Sequence, residues 1–151
     1  VPDLQQSDLY TAVETAVSYM RKRISDNVTV NIENYTEQPV MVKINTALFN
    51  WVIENLMKNA IDAMNGKGTI IVSIDANLKN AIVRVSDTGK GLHKKQFKAI
   101  FNPGYTSKAR GWGLGLSLAQ RIIKDYHRGQ IMVESSEVGV GTTMKILLPK
   151  D

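Results

Sequence analysis

The sequence predicts a single α/β domain: a two-layer α/β sandwich in which helices cover one face of a mixed, mostly antiparallel sheet. Two observations support this prediction. Segments with helical apolar spacing alternate with shorter segments in which apolar and polar residues alternate. The chain has 151 residues, 43% of them apolar, which suits one domain with one core over 1–151.

Three long segments have the apolar spacing of an amphipathic helix, namely 8–24, 48–64 and 114–126. A shorter helix is predicted at 94–100. Each long helix should turn its apolar stripe towards the sheet. The third is expected to bury Leu118, Ala119, Ile122, Ile123 and Tyr126.

Six segments have the alternation or composition of strands: 28–35, 40–44, 69–75, 81–86, 130–135 and 142–148. The third and fourth are expected to pair antiparallel, because the turn between them is shorter than the roughly dozen residues of a parallel crossover. The interval 87–113 is rich in glycine and largely irregular. A loop of that length in a compact domain is usually functional.

Composition narrows the classes of function. The net charge is +5, but the basic residues are scattered and form no run typical of nucleic-acid-binding tails, so we expect no nucleic-acid partner. Lys108 and Arg110 are of interest only for their position in the long loop. The absence of cysteine excludes disulfides and thiolate chemistry.

The chain has no apolar run approaching the ~18 residues of a membrane span, and no signal peptide opens it. It begins with Val1, so we expect it to be a piece of a longer protein. A cytoplasmic location is expected, with membrane attachment only through regions outside these residues.

Asn55 and Asn59 are four residues apart in the second helix, which places them about 40° apart around its axis. Carboxamides beside an apolar stripe need polar partners. A carboxamide oxygen suits Mg²⁺, which takes few protein ligands and keeps waters. The alternative is an ordinary solvated helix face.

Asp87 ends the fourth strand and is followed by Thr88-Gly89-Lys90-Gly91. A carboxylate at a strand end can accept a hydrogen bond from an amino group of a planar ligand, and glycines let the backbone approach that ligand. An ordinary turn would use the same residues.

Two further motifs follow in the long loop. Residues 101–108 place aromatic residues around a Pro-Gly turn and end in hydroxyls and Lys108, which could meet a terminal phosphate as a point charge. Residues 111–116 put glycines directly before a helix, where backbone N–H groups favour an anion. Rossmann and Walker A spacings are both absent.

In this order, the motifs resemble the histidine-kinase branch of the superfamily that includes gyrase, heat-shock-90 and mismatch-repair ATPases, whose ATP-binding fold is the Bergerat fold. Residues 54–64 resemble the N box, 87–91 the G1 box, 101–108 the F box and 111–116 the G2 box. Residues 139–143 resemble the closing glycine-threonine motif.

The resemblance implies a site for ATP and Mg²⁺. Asn59 would be the Mg²⁺ ligand, Asn55 would contact phosphate or metal-bound water, and Asp87 would accept from the adenine amino group. Gly91 would lie beside the purine, Thr142 near Asp87, and 92–112 would form the ATP lid. Asn55 and Lys108 are the predicted catalytic residues. The remaining predicted binding residues are Gly89, Leu92, Thr106, Ser107, Gly111, Gly113, Leu114, Gly115 and Leu116.

Some positions depart from the common family pattern. Asp62 and Ala63 stand where many histidine kinases carry a basic residue and then a tyrosine. Lys108 could supply the missing charge. Glu54 is about 100° around the helix from Asn55, the position that corresponds to the general base of the hydrolytic branches. Slow or negligible ATP hydrolysis is therefore expected.

Neither histidine, His93 nor His127, lies in a phosphoacceptor motif. His93 is expected to be an exposed lid residue and His127 a helix-end residue, where a cation is mildly favoured. The resemblance thus implies a chain that binds ATP without autophosphorylation and donates the γ-phosphoryl group to a histidine on a separate dimerisation domain, with a response regulator downstream. Alternatives are a serine protein kinase of the anti-sigma-factor type and a non-catalytic basic binding module.

Overall fold

The computed structural model describes residues 2–105 and 115–151. In the described residues the helices are α1 (Leu9–Arg21), α2 (Thr46–Ala63), α3 (Gln96–Ala99) and α4 (Gly115–Arg121), and α4 continues into a π-helical turn, Ile122–Tyr126. The strands are β1 (Gln5–Asp8), β2 (Val28–Asn34), β3 (Met41–Ile44), β4 (Gly68–Ala76), β5 (Asn80–Asp87), β6 (Gln130–Glu137) and β7 (Gly141–Pro149).

The main sheet has the strand order β2-β4-β5-β7-β6. β2 and β4 run parallel, and the other neighbours are antiparallel. The predicted mixed, mostly antiparallel sheet is therefore confirmed, as is the antiparallel pairing of the strands at 69–75 and 81–86. The sheet and the helices packed on it share one apolar core.

The two faces of the sheet differ in chemistry. Val83 and Val85 of β5 are buried with Met144 and Ile146 of β7 beneath the helices. On the opposite face the Nε of Arg84 donates to both carboxylate oxygens of Glu134, at 3.0 and 2.8 Å. Alternation along β5 and β7 thus decides which side chains can face the helical layer.

One strand was not predicted. β1 pairs antiparallel with β3, from Gln5 opposite Ile44 to Asp8 opposite Met41, in a separate two-stranded sheet. Its sequence, Gln-Gln-Ser-Asp, has neither apolar alternation nor strand propensity. Backbone pairing with β3 therefore forms this strand, and Asp8 ends it by capping α1 through a bond from the Thr11 N–H.

The helix predicted at 114–126 changes to π-helical geometry at Ile122, and two of the expected burials are wrong. Ala119, Ile122 and Ile123 are buried as predicted, but Leu118 and Tyr126 are each 40% exposed. α4 packs through the small residues Ser117 and Ala119, so Leu118 lies to the side. The wider π-helical turn then rotates the following residues, and His127 rather than Tyr126 points inwards.

His127 lies at the end of the helix as predicted, but it is buried there, so the cation that a helix end alone would favour is disfavoured. Its side chain is only 3% exposed. The backbone N–H of Asn45, the residue that caps α2, donates to Nε2 at 3.1 Å. Because Nε2 accepts, Nδ1 carries the proton and donates to the carbonyl of Ile122 at 2.9 Å. A neutral imidazole thus joins the start of α2 to the π-helical turn, and burial lowers the pKa of His127.

In the described part of the chain, no helix combines the length and the apolar character that crossing a bilayer requires.

The lowered pKa of His127 predicts a pH-dependent stability. In the unfolded chain His127 takes up a proton near pH 6.5, whereas in the folded chain protonation requires a lower pH. The contribution of His127 to the unfolding free energy should therefore be at its maximum above pH 6.5. It should fall by up to about 1.4 kcal/mol per pH unit below it. Denaturant unfolding at pH 7.5 and 5.5 measures this difference. It should shrink in His127→Gln and persist in His93→Gln; an equal pH dependence in both variants would contradict the assignment.

Candidate functional site

Asn55 and Asn59 lie on the flank of α2, beside its buried stripe. The helix begins where the side chain of Asn45 accepts the Leu48 N–H at 3.0 Å. Both asparagines are half-buried. In the described residues, no hydrogen bond to the side chain of Asn59 is formed, so its amide remains available to a ligand.

Asn55 contacts the start of α4. Its Nδ2 donates to the Trp51 carbonyl at 3.0 Å, which fixes the orientation of the amide. A Cβ placed on Gly115 would lie 3.0 Å from Asn55 Oδ1. The structure thus brings together the second helix and the glycine-rich helix start, two motifs 60 residues apart in the sequence.

Asp87 lies at the end of β5, on the sheet face that carries the helices. Its Oδ1 accepts the Gly89 N–H at 2.8 Å and the Thr142 N–H at 3.3 Å. Ser86 and Thr143 pair across β5 and β7, and their hydroxyls meet at 2.8 Å on the opposite face. Asp87 and Thr142 are the next pair, so their side chains point together towards α2.

The turn after Asp87 is held between α2 and the β6–β7 turn. The Lys90 N–H donates to the Ala63 carbonyl at 2.9 Å, and the Gly139 N–H donates to the Lys90 carbonyl at 2.8 Å. A Cβ on Gly89 would lie 2.6 Å from backbone atoms of Ala63. The absence of a side chain at Gly89 therefore allows this turn to pack against the end of α2.

Glycine is required at position 91 both by the backbone conformation and by the lack of space for a side chain. Its φ is +74°, and a Cβ there would lie 2.2 Å from the Glu137 carbonyl oxygen. The side on which a side chain would project is thus filled by the β6–β7 turn. The sequence predicted Gly91 beside a purine, and the structure adds a packing reason for glycine at this position.

Ser136 was missed by sequence reasoning. Its Oγ accepts the Leu92 N–H at 2.7 Å and lies 2.7 Å from Thr142 Oγ1 and 3.1 Å from the Gly141 carbonyl. It therefore ties the first residue of the predicted lid to Thr142 beside Asp87. A serine in a polar strand end carries no local signal, since only the cross-strand pairing gives it these partners.

The structure describes only part of the long loop predicted at 87–113. Phe101 is buried, as an aromatic anchor should be, and the Gln96 Nε2 donates to the Tyr105 hydroxyl at 2.7 Å. Leu116 is half-buried at the start of α4. The predicted site residues Thr106, Ser107, Lys108, Gly111, Gly113 and Leu114 lie outside the described residues.

A family model described as histidine kinase-, DNA gyrase B- and HSP90-like ATPase matches residues 44–151. The chain belongs to this ATPase family. Sporulation kinase D of Bacillus subtilis (strain 168) is 41% identical over 82% of the chain, which spans 24% of that relative's length. ATP binding is thus the general function of this domain.

Solved structures agree with this membership. The catalytic domain of histidine kinase ThkA, in a nucleotide-free form, superposes with a TM-score of 0.86 at 26% identity, covering 98% of this chain and 96% of that one. Histidine kinase ThkA in complex with response regulator protein TrrA superposes with a TM-score of 0.83 at 25% identity, covering 98% of this chain and 42% of that one. The resemblance to histidine kinase catalytic domains and the expected sandwich fold are confirmed.

Among the described residues of this ATPase domain, the acidic side chains do not form a cluster that could hold a metal. In the parts of the chain that the structure describes, no group of three or more His, Cys, Asp or Glu side chains could hold a metal. Glu54 lines a groove between α1 and α2 with Lys58 and Arg23. Its carboxylate therefore faces that groove. The half-buried amide of Asn59 is of a type that fits a hard cation.

Substitution of Gly91 tests the packing of this turn. Gly91→Ala combines a positive φ with a clash against backbone and should cost about 2 kcal/mol or more of unfolding free energy. Gly139→Ala is the matched control, because Gly139 has φ +83° but no atom within 4 Å of the added Cβ. That control should lose only about 1 kcal/mol. Equal losses in chemical denaturation would argue against the close approach to Glu137.

Proposed function

We propose that the chain binds Mg-ATP between α2, the turn after Asp87 and the start of α4, and serves as the phosphoryl-donor domain of a histidine protein kinase in two-component signalling. The observation that carries this proposal is the Asp87–Thr142 pair beside the asparagine flank of α2. Asp87 and Thr142 would accept hydrogen bonds from a base, and the amides of Asn55 and Asn59 would contact the metal and the phosphates.

The adenine end is supported by the hydrogen bonding of Asp87. Two backbone N–H groups hold Oδ1, so the direction of the carboxylate is fixed before a ligand arrives. An ionised carboxylate only accepts, which suits an exocyclic amino group and not a carbonyl. Preorganisation of this kind lowers the entropic cost of binding.

The phosphate end is supported by α2 and the start of α4. Asn59 would hold Mg²⁺ through its amide oxygen, and Asn55 would contact phosphate or a metal-bound water. When bound, Mg²⁺ supplies charge neutralisation for the phosphates. The backbone N–H groups of Gly113, Leu114 and Gly115 are proposed to donate hydrogen bonds to the phosphates. Lys108 is the proposed cation near the terminal phosphate.

The burial of His127 supports a phosphoacceptor on a separate domain. Both ring nitrogens of His127 are engaged inside the fold. A nucleophilic imidazole needs an accessible nitrogen, so His127 does not qualify. We infer that the acceptor is a histidine on a dimerisation domain, and that a response regulator follows, as in the ThkA–TrrA complex.

The direction of Glu54 supports phosphoryl transfer over hydrolysis. A water needs a nearby base to attack a phosphate efficiently. Because Glu54 lines the α1–α2 groove, this carboxylate is not available to activate water at the Asn55 side of α2. Little ATP should thus be lost to water before it meets the acceptor histidine.

Thermal or chemical unfolding with nucleotide tests the proposed ligand. At a Mg-ATP concentration one hundred times the dissociation constant, the unfolding free energy should rise by about 2.7 kcal/mol. Equal ionic strength with sodium sulfate is the control for a non-specific anion effect. The proposal would be contradicted if sulfate raised the unfolding free energy as much as Mg-ATP does, or if neither ATP nor ADP raised it.

Asn59→Ala tests the metal ligand. In the unaltered protein ATP should bind more tightly with Mg²⁺ than with EDTA, and Asn59→Ala should abolish most of that difference. Lys58→Ala is the matched control on the neighbouring, exposed position of α2, and it should retain the difference. Isothermal titration of all three proteins gives the result. An undiminished magnesium effect in Asn59→Ala would move the metal to another residue.

A further inference from the structure

Ser136 has three polar neighbours within hydrogen-bonding distance, and together they determine where its proton lies. The Leu92 N–H can only donate, and the Gly141 carbonyl can only accept. The third neighbour, Thr142 Oγ1 at 2.7 Å, can do either. A serine hydroxyl has one proton and two lone pairs.

One arrangement satisfies all three contacts. Ser136 donates its proton to the Gly141 carbonyl and accepts from the Leu92 N–H. Its second lone pair then accepts the hydroxyl proton of Thr142. The Thr142 oxygen is consequently left with lone pairs only, so it can accept a hydrogen bond from a ligand but cannot donate one.

A β-bulge aims Ser136 at these partners. Val133 pairs with Met144, but Ser135 pairs with Thr143 and Ser136 with Thr142, so Glu134 is the extra residue in β6. Without it, Ser135 would face Thr142 and Ser136 would lie beyond the pair. The bulge places Glu134 and Ser135 on the solvent face and turns Ser136 towards Thr142 and Leu92.

We propose that Ser136 is a positioning residue for base specificity: by holding the Thr142 hydroxyl proton, it makes the Asp87–Thr142 pair an acceptor-only surface. Such a surface fits a purine with an amino group at C6 and rejects a purine with a carbonyl there. The proposal rests on the proposed nucleotide site. It adds a residue that need not touch the base, and it links base selection to Leu92, the first residue of the predicted lid.

The test compares ATP with inosine 5′-triphosphate, which replaces the C6 amino group by a carbonyl. In Ser136→Ala the Thr142 hydroxyl is free to rotate and donate to that carbonyl. The ratio of the two affinities should therefore fall about three- to tenfold, the range of one hydrogen bond. Ser135→Ala, an exposed neighbour in the same strand, is the control and should keep the ratio of the unaltered protein.

The ratio separates positioning from a structural role. If Ser136→Ala weakens both nucleotides equally, the serine supports the fold or the Leu92 contact only, and the proposal is overturned. In a Thr142→Val background Ser136→Ala should no longer change the ratio, because the proton that it holds is gone. A full effect in that background also overturns it.

Two conservative variants complete the design. Ser136→Thr keeps the hydroxyl and should preserve the ratio. Ser136→Cys keeps the shape but hydrogen-bonds weakly, so it should lower the ratio even if Ser136→Ala fails to fold. If the unaltered protein binds neither nucleotide, the proposed function itself fails. If it prefers ATP and neither Ser136→Ala nor Ser136→Cys alters that preference, only the role of Ser136 is lost.

Discussion

The packing of α2 against the sheet is the constraint on which the rest of this domain depends. Its stripe of Phe49, Val52, Ile53, Leu56, Met57 and Ala60 is at most 3% exposed at every position. Burial of one such large side chain contributes about 1.5–3 kcal/mol. Together these side chains fix the rotation of α2 about its own axis. That rotation places Asn55 and Asn59 on the flank, and it places Ala63 where Lys90 can donate to its carbonyl.

From that anchor, backbone contacts position the turn after Asp87 more than side chains do. The turn is held by the end of α2 on one side and by the β6–β7 turn on the other. Gly89 and Gly91 permit approaches that no Cβ would allow. The carboxylate of Asp87 is in turn oriented by backbone N–H groups on both sides of this junction. The carboxylate is therefore held in one direction by the fold itself, at the place where we propose that the base binds.

Contacts elsewhere in the fold hold two reactive side chains away from the proposed ATP site. Glu54 lies in the α1–α2 groove, and His127 is enclosed between the cap of α2 and the π-helical turn. Glu54, a carboxylate that could activate water, and His127, an imidazole that could accept a phosphoryl group, are thus held away from the proposed site. What is left at the site is chemistry that binds, orients and neutralises, which suits transfer to a histidine brought by another domain.

Local patterns in the sequence determined the sandwich class, most element boundaries and the motifs around Asn55, Asn59, Asp87 and Gly91, because helix period, strand alternation and glycine punctuation are properties of neighbouring residues. Tertiary structure alone decided the rest. β1 exists only through its pairing with β3. The exposure of Leu118 and Tyr126 follows from the contacts of α4 and from the π-helical turn. Ser136 meets Thr142 only because an extra residue in β6 shifts the register, and a register between distant strands leaves no trace in local periodicity.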